Sequence, residues 1–160
     1  MDSVELAKQR AVSGMEMFLR NFKHVPDDKL DWTPTPTAKS PLRVAAHTAL
    51  YAGRFAAMIR NRALPKPENI DEWVAKNVAE EVAVTSRDEM EQIFRAGTEE
   101  VLAALDTLTP EEVESTLTSG EDFSMPMKQL MVLPGWHATI HLGQIDYIQT
   151  CWGDQEVYLS

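Results

Sequence analysis

This sequence has one cysteine, no long apolar run and no signal-peptide pattern at its N-terminus. Each of these features argues against a class of protein. Its 160 residues include one cysteine, Cys151, so an intramolecular disulfide and a cysteine-rich zinc site are both excluded. No apolar run approaches the roughly 18 residues that a membrane-spanning helix needs. The first residues, Met1-Asp2-Ser3-Val4-Glu5, lack a basic start followed by an apolar stretch. A cytoplasmic location is therefore the expectation.

Basic residues are also in short supply. Lysine and arginine total 15 against 25 aspartates and glutamates, which gives a formal net charge of −10. Nucleic-acid binding normally requires clustered lysine and arginine, and an acidic surface repels phosphate backbones and anionic lipids. The sequence therefore predicts neither a nucleic-acid partner nor a membrane partner.

The length and the apolar content are those of an ordinary globular protein. A chain of 160 residues suits one domain, and hydrophobic residues make up 44% of it, which is enough for a sizeable core. We find no internal repeat, low-complexity tract or linker. The expectation is a single domain over residues 1–160.

Apolar residues recur at helical spacing in four long segments, each predicted to be an amphipathic helix. Ser40-Pro41 opens the second helix, since serine is a good N-cap and proline suits the first helical position. Ser86 opens the third helix with a capping-box pattern. Pro134 lies inside the fourth helix and predicts a kink or a broken start there. The predicted spans are Ser3–Phe22, Ser40 to a point before Pro65, Ser86–Leu108, and Ser124–Met127 to Trp152.

The connections are predicted to be ordered. Residues 24–40 form a proline-containing crossover. Residues 61–85 carry apolar residues at helical spacing and predict a short amphipathic helix lying across the bundle. Residues 111–117 predict a short helical turn, residues 118–123 predict a turn, and no segment predicts a convincing strand. The apolar stripe assigned to the short helix is Ile70, Trp73, Val74, Val78 and Val82.

These elements predict an all-α fold, a four-helix bundle with short extra helices in its connections. Metal and ligand sites in such bundles form from side chains on facing helices.

Three of the four histidines lie on predicted inward stripes. His137 and His141 are four residues apart on the fourth helix, so both imidazoles leave the same face. His47 lies on the inward stripe of the second helix. Three neutral imidazoles can bind Zn²⁺ and leave a fourth position for water or substrate. The candidate metal ligands are therefore His47, His137 and His141.

Two other metal patterns are excluded by single residues. A zincin needs glutamate directly after the first histidine, and that position is Ala138. A di-iron bundle needs Glu-x-x-His from two helices, and none of the residues three positions before a histidine is acidic. These four residues are Asn21, Val44, Pro134 and Ala138.

Other residues near the candidate ligands have two interpretations each. Gln144 would hydrogen-bond a ligand histidine or substrate, or else bond a neighbouring helix. Tyr51 would donate to a bound oxyanion or serve as a core tyrosine. His24 is predicted to be a surface residue, and Cys151 a small packing residue too far along the helix to ligate the same ion. The tryptophans Trp32, Trp73, Trp136 and Trp152 are predicted to pack in the core or at its edge, and Trp73 could also roof a pocket.

The motifs taken together resemble the DinB/YfiT-like superfamily of metalloenzymes. Trp32-Thr33-Pro34, then Ser40-Pro41 and His47, is similar to that family's entry to its second helix. His137-x-x-x-His141-x-Gly143-Gln144 is similar to its closing signature. The resemblance implies an up-down-down-up four-helix bundle, often dimeric, with His47, His137 and His141 holding zinc, nickel or another divalent ion.

The resemblance also implies a class of chemistry. The superfamily includes thiol-dependent transferases and isomerases that use low-molecular-weight thiols, so a small-molecule substrate and a thiol are the expected partners. Many members carry an arginine in the last turns of the fourth helix, where this chain has Ile148-Gln149-Thr150. That difference leaves the substrate class open.

Three functional hypotheses follow from the sequence. The first is a divalent-metal-dependent enzyme, a thiol-dependent S-transferase or a related transferase or hydrolase. The second is a non-catalytic dimeric bundle that binds a metal or a small ligand. The third is a metal-free bundle whose histidines form a polar core network. Hydrolysis would need a general base, and the sequence places no aspartate or glutamate in that role.

Overall fold

The computed structural model describes residues 2–120 and 123–158. All four predicted long helices are present, and Ser40 and Ser86 cap the second and third of them through their side-chain oxygens, as expected. The elements, in chain order, are helix α1 (Ser3–Phe22), a 3-10 turn (Asp27–Lys29), helices α2 (Pro41–Asn61), α3 (Ile70–Ala83), α4 (Arg87–Leu105) and α5 (Pro110–Val113), strands β1 (Thr116–Ser119) and β2 (Phe123–Pro126), and helix α6 (Met127–Thr150).

The four long helices form a four-helix bundle, as predicted. Helix α1 packs against α4 and α6, and α2 packs against the same two helices from the other side. The apolar core fills the space between them and includes Phe18, Phe55, Phe94 and Leu130. Because α2 and α6 are neighbours, side chains on their facing sides can meet.

Two close helix contacts depend on glycine. A methyl group on Gly135 of α6 would overlap the backbone carbonyl of Arg10 on α1. A methyl group on Gly97 of α4 would lie 2.8 Å from the backbone nitrogen of Gly53 on α2. These residues let the helix backbones approach more closely than any side chain would allow.

The prediction that the chain has no strand was wrong. Strands β1 and β2 pair antiparallel, with Leu117 opposite Met125. Each strand has only four residues, which is too short to produce a clear alternating pattern. The helical turn predicted for residues 111–117 is correspondingly shorter and ends at Val113. Glu121 and Asp122, within the turn predicted for residues 118–123, lie outside the described residues.

Helix α3 is present, but its apolar stripe does not face the bundle as predicted. Ile70, Val74, Val78 and Val82 are exposed. The inward row instead contains Trp73 and Asn77, which are half-buried, and Glu81, which is buried. The helix thus turns its most apolar face to solvent and brings a carboxylate inward.

Helix α6 runs continuously through Pro134, so of the two alternatives expected there, a kink or a broken start, the broken start is absent. Two of its residues differ from expectation, since Trp136 and Ile140 are exposed rather than packed in the core. Cys151, just after the helix, is exposed and is not the packing residue predicted from the sequence. Within residues 2–120 and 123–158, each helix is either too short or too polar to cross a bilayer.

Candidate metal centre

Helices α2 and α6 bring His47, His137 and His141 together. The Nε2 atoms of His47 and His137 are 3.3 Å apart, and those of His137 and His141 are 3.0 Å apart. One ring nitrogen from each histidine lies within 4.8 Å of the other two. The geometry expected from the spacing in sequence is therefore present, with two imidazoles one turn apart on α6 facing the third on α2.

In His47 and His141, the Nδ1 atom, on the other side of the ring from Nε2, donates a hydrogen bond to a neighbouring side chain. Nδ1 of His47 donates to Oε1 of Glu81 at 2.6 Å, and Nδ1 of His141 donates to Oε1 of Gln144 at 2.6 Å. A neutral imidazole that carries its proton on Nδ1 presents a lone pair at Nε2. Both rings therefore direct lone pairs toward the common centre.

This donor set fits a divalent metal ion. Zinc binds imidazole nitrogen at about 2.0–2.1 Å in tetrahedral geometry, which places two ligand nitrogens roughly 3.3 Å apart. The His47–His137 separation equals that value, and the His137–His141 separation is slightly shorter. Three protein ligands leave one tetrahedral position open, which is characteristic of catalytic rather than structural zinc sites.

Electrostatics favours the neutral, metal-binding form of the rings. Burial, together with the neighbouring histidines, lowers the pKa of His137 to about 3. Burial also lowers the pKa of His47 and of His141, against the opposing effect of their hydrogen bonds to Glu81 and Gln144. A proton therefore competes poorly for these nitrogens at neutral pH.

One carboxylate, Glu81, contacts the candidate metal centre, and the sequence did not predict it. It is buried, with 4% of its side chain exposed, and its Oε2 accepts from Lys39 at 2.8 Å and from Arg43 at 3.4 Å. Burial alone would raise the pKa of Glu81, but the hydrogen bonds from Lys39 and His47 outweigh it and leave that pKa below its usual value. The ionised carboxylate fixes the proton of His47 on Nδ1.

A sequence signal for Glu81 did exist. It follows Trp73 by eight residues and Asn77 by four, so the three share one face of α3. The more hydrophobic row of isoleucine and valine next to it gave the stronger periodicity. Without the structure, nothing indicated that the weaker row faces inward.

Aromatic side chains close one side of the centre. The ring of Tyr51, one turn after His47, lies 4.5 Å from the His47 ring and 5.1 Å from the His137 ring, measured between centroids. Phe55 meets His137 edge-on at 5.3 Å. These rings make that side of the centre largely aromatic, whereas its polar contacts lie toward α3 and Gln144.

The remaining residues singled out in the sequence lie elsewhere or take one of their two expected roles. Gln144 bonds a candidate ligand histidine, as the first interpretation proposed. His24 is half-buried rather than on the surface, and its ring stacks on Tyr158 at 3.8 Å. Neither His24 nor Cys151 belongs to the group of converging ligand atoms.

Comparison with known proteins defines the family. Among curated protein sequences, none matches this chain. Several solved structures are similar to it, and two of them are similar over nearly their whole length. A DinB-like protein of Bacillus subtilis, YjoA, is 16% identical over 95% of this chain and 94% of its own, with a TM-score of 0.67. A conserved protein of Enterococcus faecalis is 15% identical over 96% of this chain and 99% of its own, with a TM-score of 0.72. At these identities the likeness shows the fold.

The sequence itself gives the assignment. The family model described as DinB superfamily matches residues 12–145, a span that includes all three converging histidines and most of the four-helix bundle. The chain therefore belongs to the DinB superfamily, as its motifs suggested.

Proposed function

We propose that this protein is a divalent-metal-dependent enzyme whose ion, zinc or nickel, is held by His47, His137 and His141. The observation that carries the proposal is the convergence of the three Nε2 atoms, two of them with their Nδ1 protons committed to acceptors. In metal-free neutral rings, a proton on Nε2 of His137 can point at only one of the two facing lone pairs, at 3.0 and 3.3 Å, so one contact between lone pairs remains, and a cation relieves that repulsion. This supports metal binding over a metal-free polar network.

The reaction we propose is attack of the sulfur of a low-molecular-weight thiol on an electrophilic carbon of a small molecule. A carbon–sulfur bond forms to give a thioether, the bond to the leaving group breaks, and the thiol proton is released with that group. The ion would supply the positive charge that lowers the pKa of a thiol or a water molecule. In this chain, Glu81 and Gln144 orient two ligand rings, while Tyr51 and Phe55 make one side of the centre largely aromatic.

The hydrogen bonds of Glu81 favour thiol chemistry over hydrolysis. A hydrolase needs a general base to take a proton from water. Oε1 of Glu81 is bonded to His47, and Oε2 is bonded to Lys39 and Arg43. A carboxylate held by three donors and with a lowered pKa is a poor base, whereas a thiol loses its proton far more easily than water and needs no separate strong base.

Elemental analysis of untagged protein purified without chelator tests the proposal. We expect about one zinc or nickel ion per chain in the wild type and a loss of that ion in His137→Ala. His24→Ala is the matched control, because His24 lies outside the converging group, and it should keep its metal. An unchanged metal content in His137→Ala would overturn the proposal.

A second candidate is a non-catalytic homodimer that binds a metal or a small ligand. Trp136, Ile140 and Tyr147 form an exposed apolar row on α6, and such a row on a helix favours self-association. Incubating metal-loaded protein with small thiols and electrophiles separates the two candidates. Formation of thioether products supports the enzyme, and a complete lack of products across a broad panel supports the binding protein.

A further inference from the structure

A cavity of about 480 Å³ lies between the C-terminal half of α2, the residues that follow it, and α3. Met58 and Leu64 contribute apolar walls, and the Trp73 ring contributes an aromatic one. Its volume is in the range of small-molecule sites, and so is its combination of apolar walls with a few charged groups. None of the three candidate metal ligands lines this cavity, so the proposed metal site does not explain it.

Two cations and one carboxylate line the same cavity. Arg54 has about a fifth of its side chain exposed, and its Nη2 bonds Oε2 of Glu80 at 2.6 Å. Its Nη1 is buried and has no hydrogen-bond partner among the described residues. Lys76 lies 3.9 Å from Glu80. Because one carboxylate faces two cations, the lining keeps an excess of positive charge in a strongly acidic protein.

The cavity continues the face of α2 that carries His47. His47, Tyr51 and Arg54 follow one another at spacings of four and three residues, which places them on one side of the helix. The guanidinium carbon of Arg54 lies 4.6 Å from the centroid of the Tyr51 ring, and the centroid of that ring lies 4.5 Å from that of the His47 ring. Seven residues of helix put Arg54 about 10 Å from His47 along the axis.

We propose that this cavity binds the carboxylate end of a small organic anion. Arg54 and Lys76 pair with the carboxylate, because guanidinium and ammonium groups form strong charge-assisted hydrogen bonds with it. Trp73 and Leu64 contact the apolar body of this anion. Leu64 follows Arg54 by ten residues, on the side away from His47, so the bound anion extends away from the histidine centre and the cavity is a separate site. The ligand class is thus a small carboxylate with an apolar body.

Calorimetric titration of the metal-free protein tests the cavity by itself. Three probes share a phenyl ring and a short stem but differ in charge: phenylacetate, 2-phenylacetamide and phenethylamine. Phenylacetate should bind, and the neutral and cationic probes should bind about tenfold more weakly or not at all, as expected for loss of a charged hydrogen bond. Absence of phenylacetate binding, or equal binding of the amide, would overturn the proposal.

Variants assign the binding to the named residues. Arg54→Gln should weaken phenylacetate binding about tenfold, and Lys76→Gln, at an exposed position, should weaken it without risk to folding. Glu80→Gln should tighten it, since the competing carboxylate is removed. Arg60→Gln is the matched control, because Arg60 lies on α2, pairs with Glu100 and does not line the cavity. Equal effects of Arg54→Gln and Arg60→Gln would contradict the assignment.

Zinc loading tests whether the cavity and the histidine centre are separate sites. The affinity for phenylacetate should be the same in the metal-free and in the zinc-loaded protein. A change of about tenfold or more on zinc loading would overturn the separation of the two sites. A protein that binds phenylacetate but no metal would overturn the proposed function and leave the cavity standing.

Discussion

The Nδ1 atom of His47 and the Oε1 atom of Glu81 are 2.6 Å apart, although the two residues come from different helices and are separated by 34 positions in the chain. The carboxylate is buried, and its other oxygen is bonded to two cations. A histidine held in this way keeps one tautomer and one ring orientation, which is what a metal ligand requires.

Glu81→Gln should therefore weaken metal binding without removing a ligand. Loss of a carboxylate behind a ligand histidine costs about 10–100-fold in metal affinity, and we expect a loss of that size in a competition titration with a chromophoric chelator. Glu80→Gln is the control, because its carboxylate bonds Arg54 rather than a histidine. Equal affinities in Glu81→Gln and the wild type would show that this hydrogen bond does not support the centre.

The stability of the metal-free protein should fall as the pH is lowered from about 7 toward 3. Burial lowers the pKa of His137 to about 3 in the folded state, whereas an unfolded histidine titrates near 6.5. Below pH 6.5, His137 is protonated in the unfolded chain but stays neutral in the folded chain until the pH approaches 3. The free energy of unfolding therefore decreases as the pH is lowered. Each such histidine adds a slope of at most about 1.4 kcal/mol per pH unit.

Urea denaturation at a series of pH values, with chelator present, measures this slope. The His137→Ala variant lacks this titrating group. Its free energy of unfolding should therefore depend less steeply on pH between about 7 and 3 than that of the wild type. Identical slopes in the two proteins would mean that His137 takes up its proton in the folded state near the ordinary pKa.

Gly135→Ala should destabilise the fold. A methyl group there overlaps the carbonyl of Arg10, so α1 and α6 must separate, and overpacking of this kind costs about 1–3 kcal/mol. Gly143→Ala is the matched control on the same helix, because, apart from the adjoining backbone of α6, none of the described residues has an atom within 4 Å of the added methyl. That variant should gain up to about 1 kcal/mol from the higher helix propensity of alanine. Thermal or urea denaturation distinguishes the two, and equal stabilities would contradict the close contact.

The proposed homodimer should depend on the exposed row of α6. A few residues contribute most of the binding energy at protein interfaces, and tryptophan and tyrosine are enriched among them. This row contains Trp136 and Tyr147, which are 58% and 71% exposed. Light scattering coupled to size exclusion should give the mass of a dimer for the wild type and of a monomer for Tyr147→Glu. Val74→Glu, on the exposed face of α3, is the control and should remain dimeric. A monomeric wild type, or a dimeric Tyr147→Glu, would rule out this surface.

The sequence predicted the bundle and the convergence of the histidines because both depend on helical periodicity. The four-residue spacing of His137 and His141 places both rings on one face of any helix, and the stripe of α2 placed His47 inward. Nothing comparable located Glu81, since α3 carries a valine row and a polar row side by side. Only packing against α2 decides which of the two faces inward.

Two other errors have a similar origin. Helix α6 has apolar residues around much of its circumference, so periodicity could not separate its buried residues from Trp136 and Ile140, which face solvent. The hairpin of β1 and β2 was missed because four-residue strands are stabilised by their pairing rather than by a pattern within either strand.

The contact between Gly135 and Arg10 has a consequence for the chemistry on the opposite side of α6. Gly135 precedes His137 by two residues, and its close contact with the α1 backbone sets how near this part of α6 lies to α1. While that contact is kept, the backbone that carries His137 and His141 keeps its position in the bundle. The precision with which three nitrogens meet around one point is thus set partly by a residue that has no side chain.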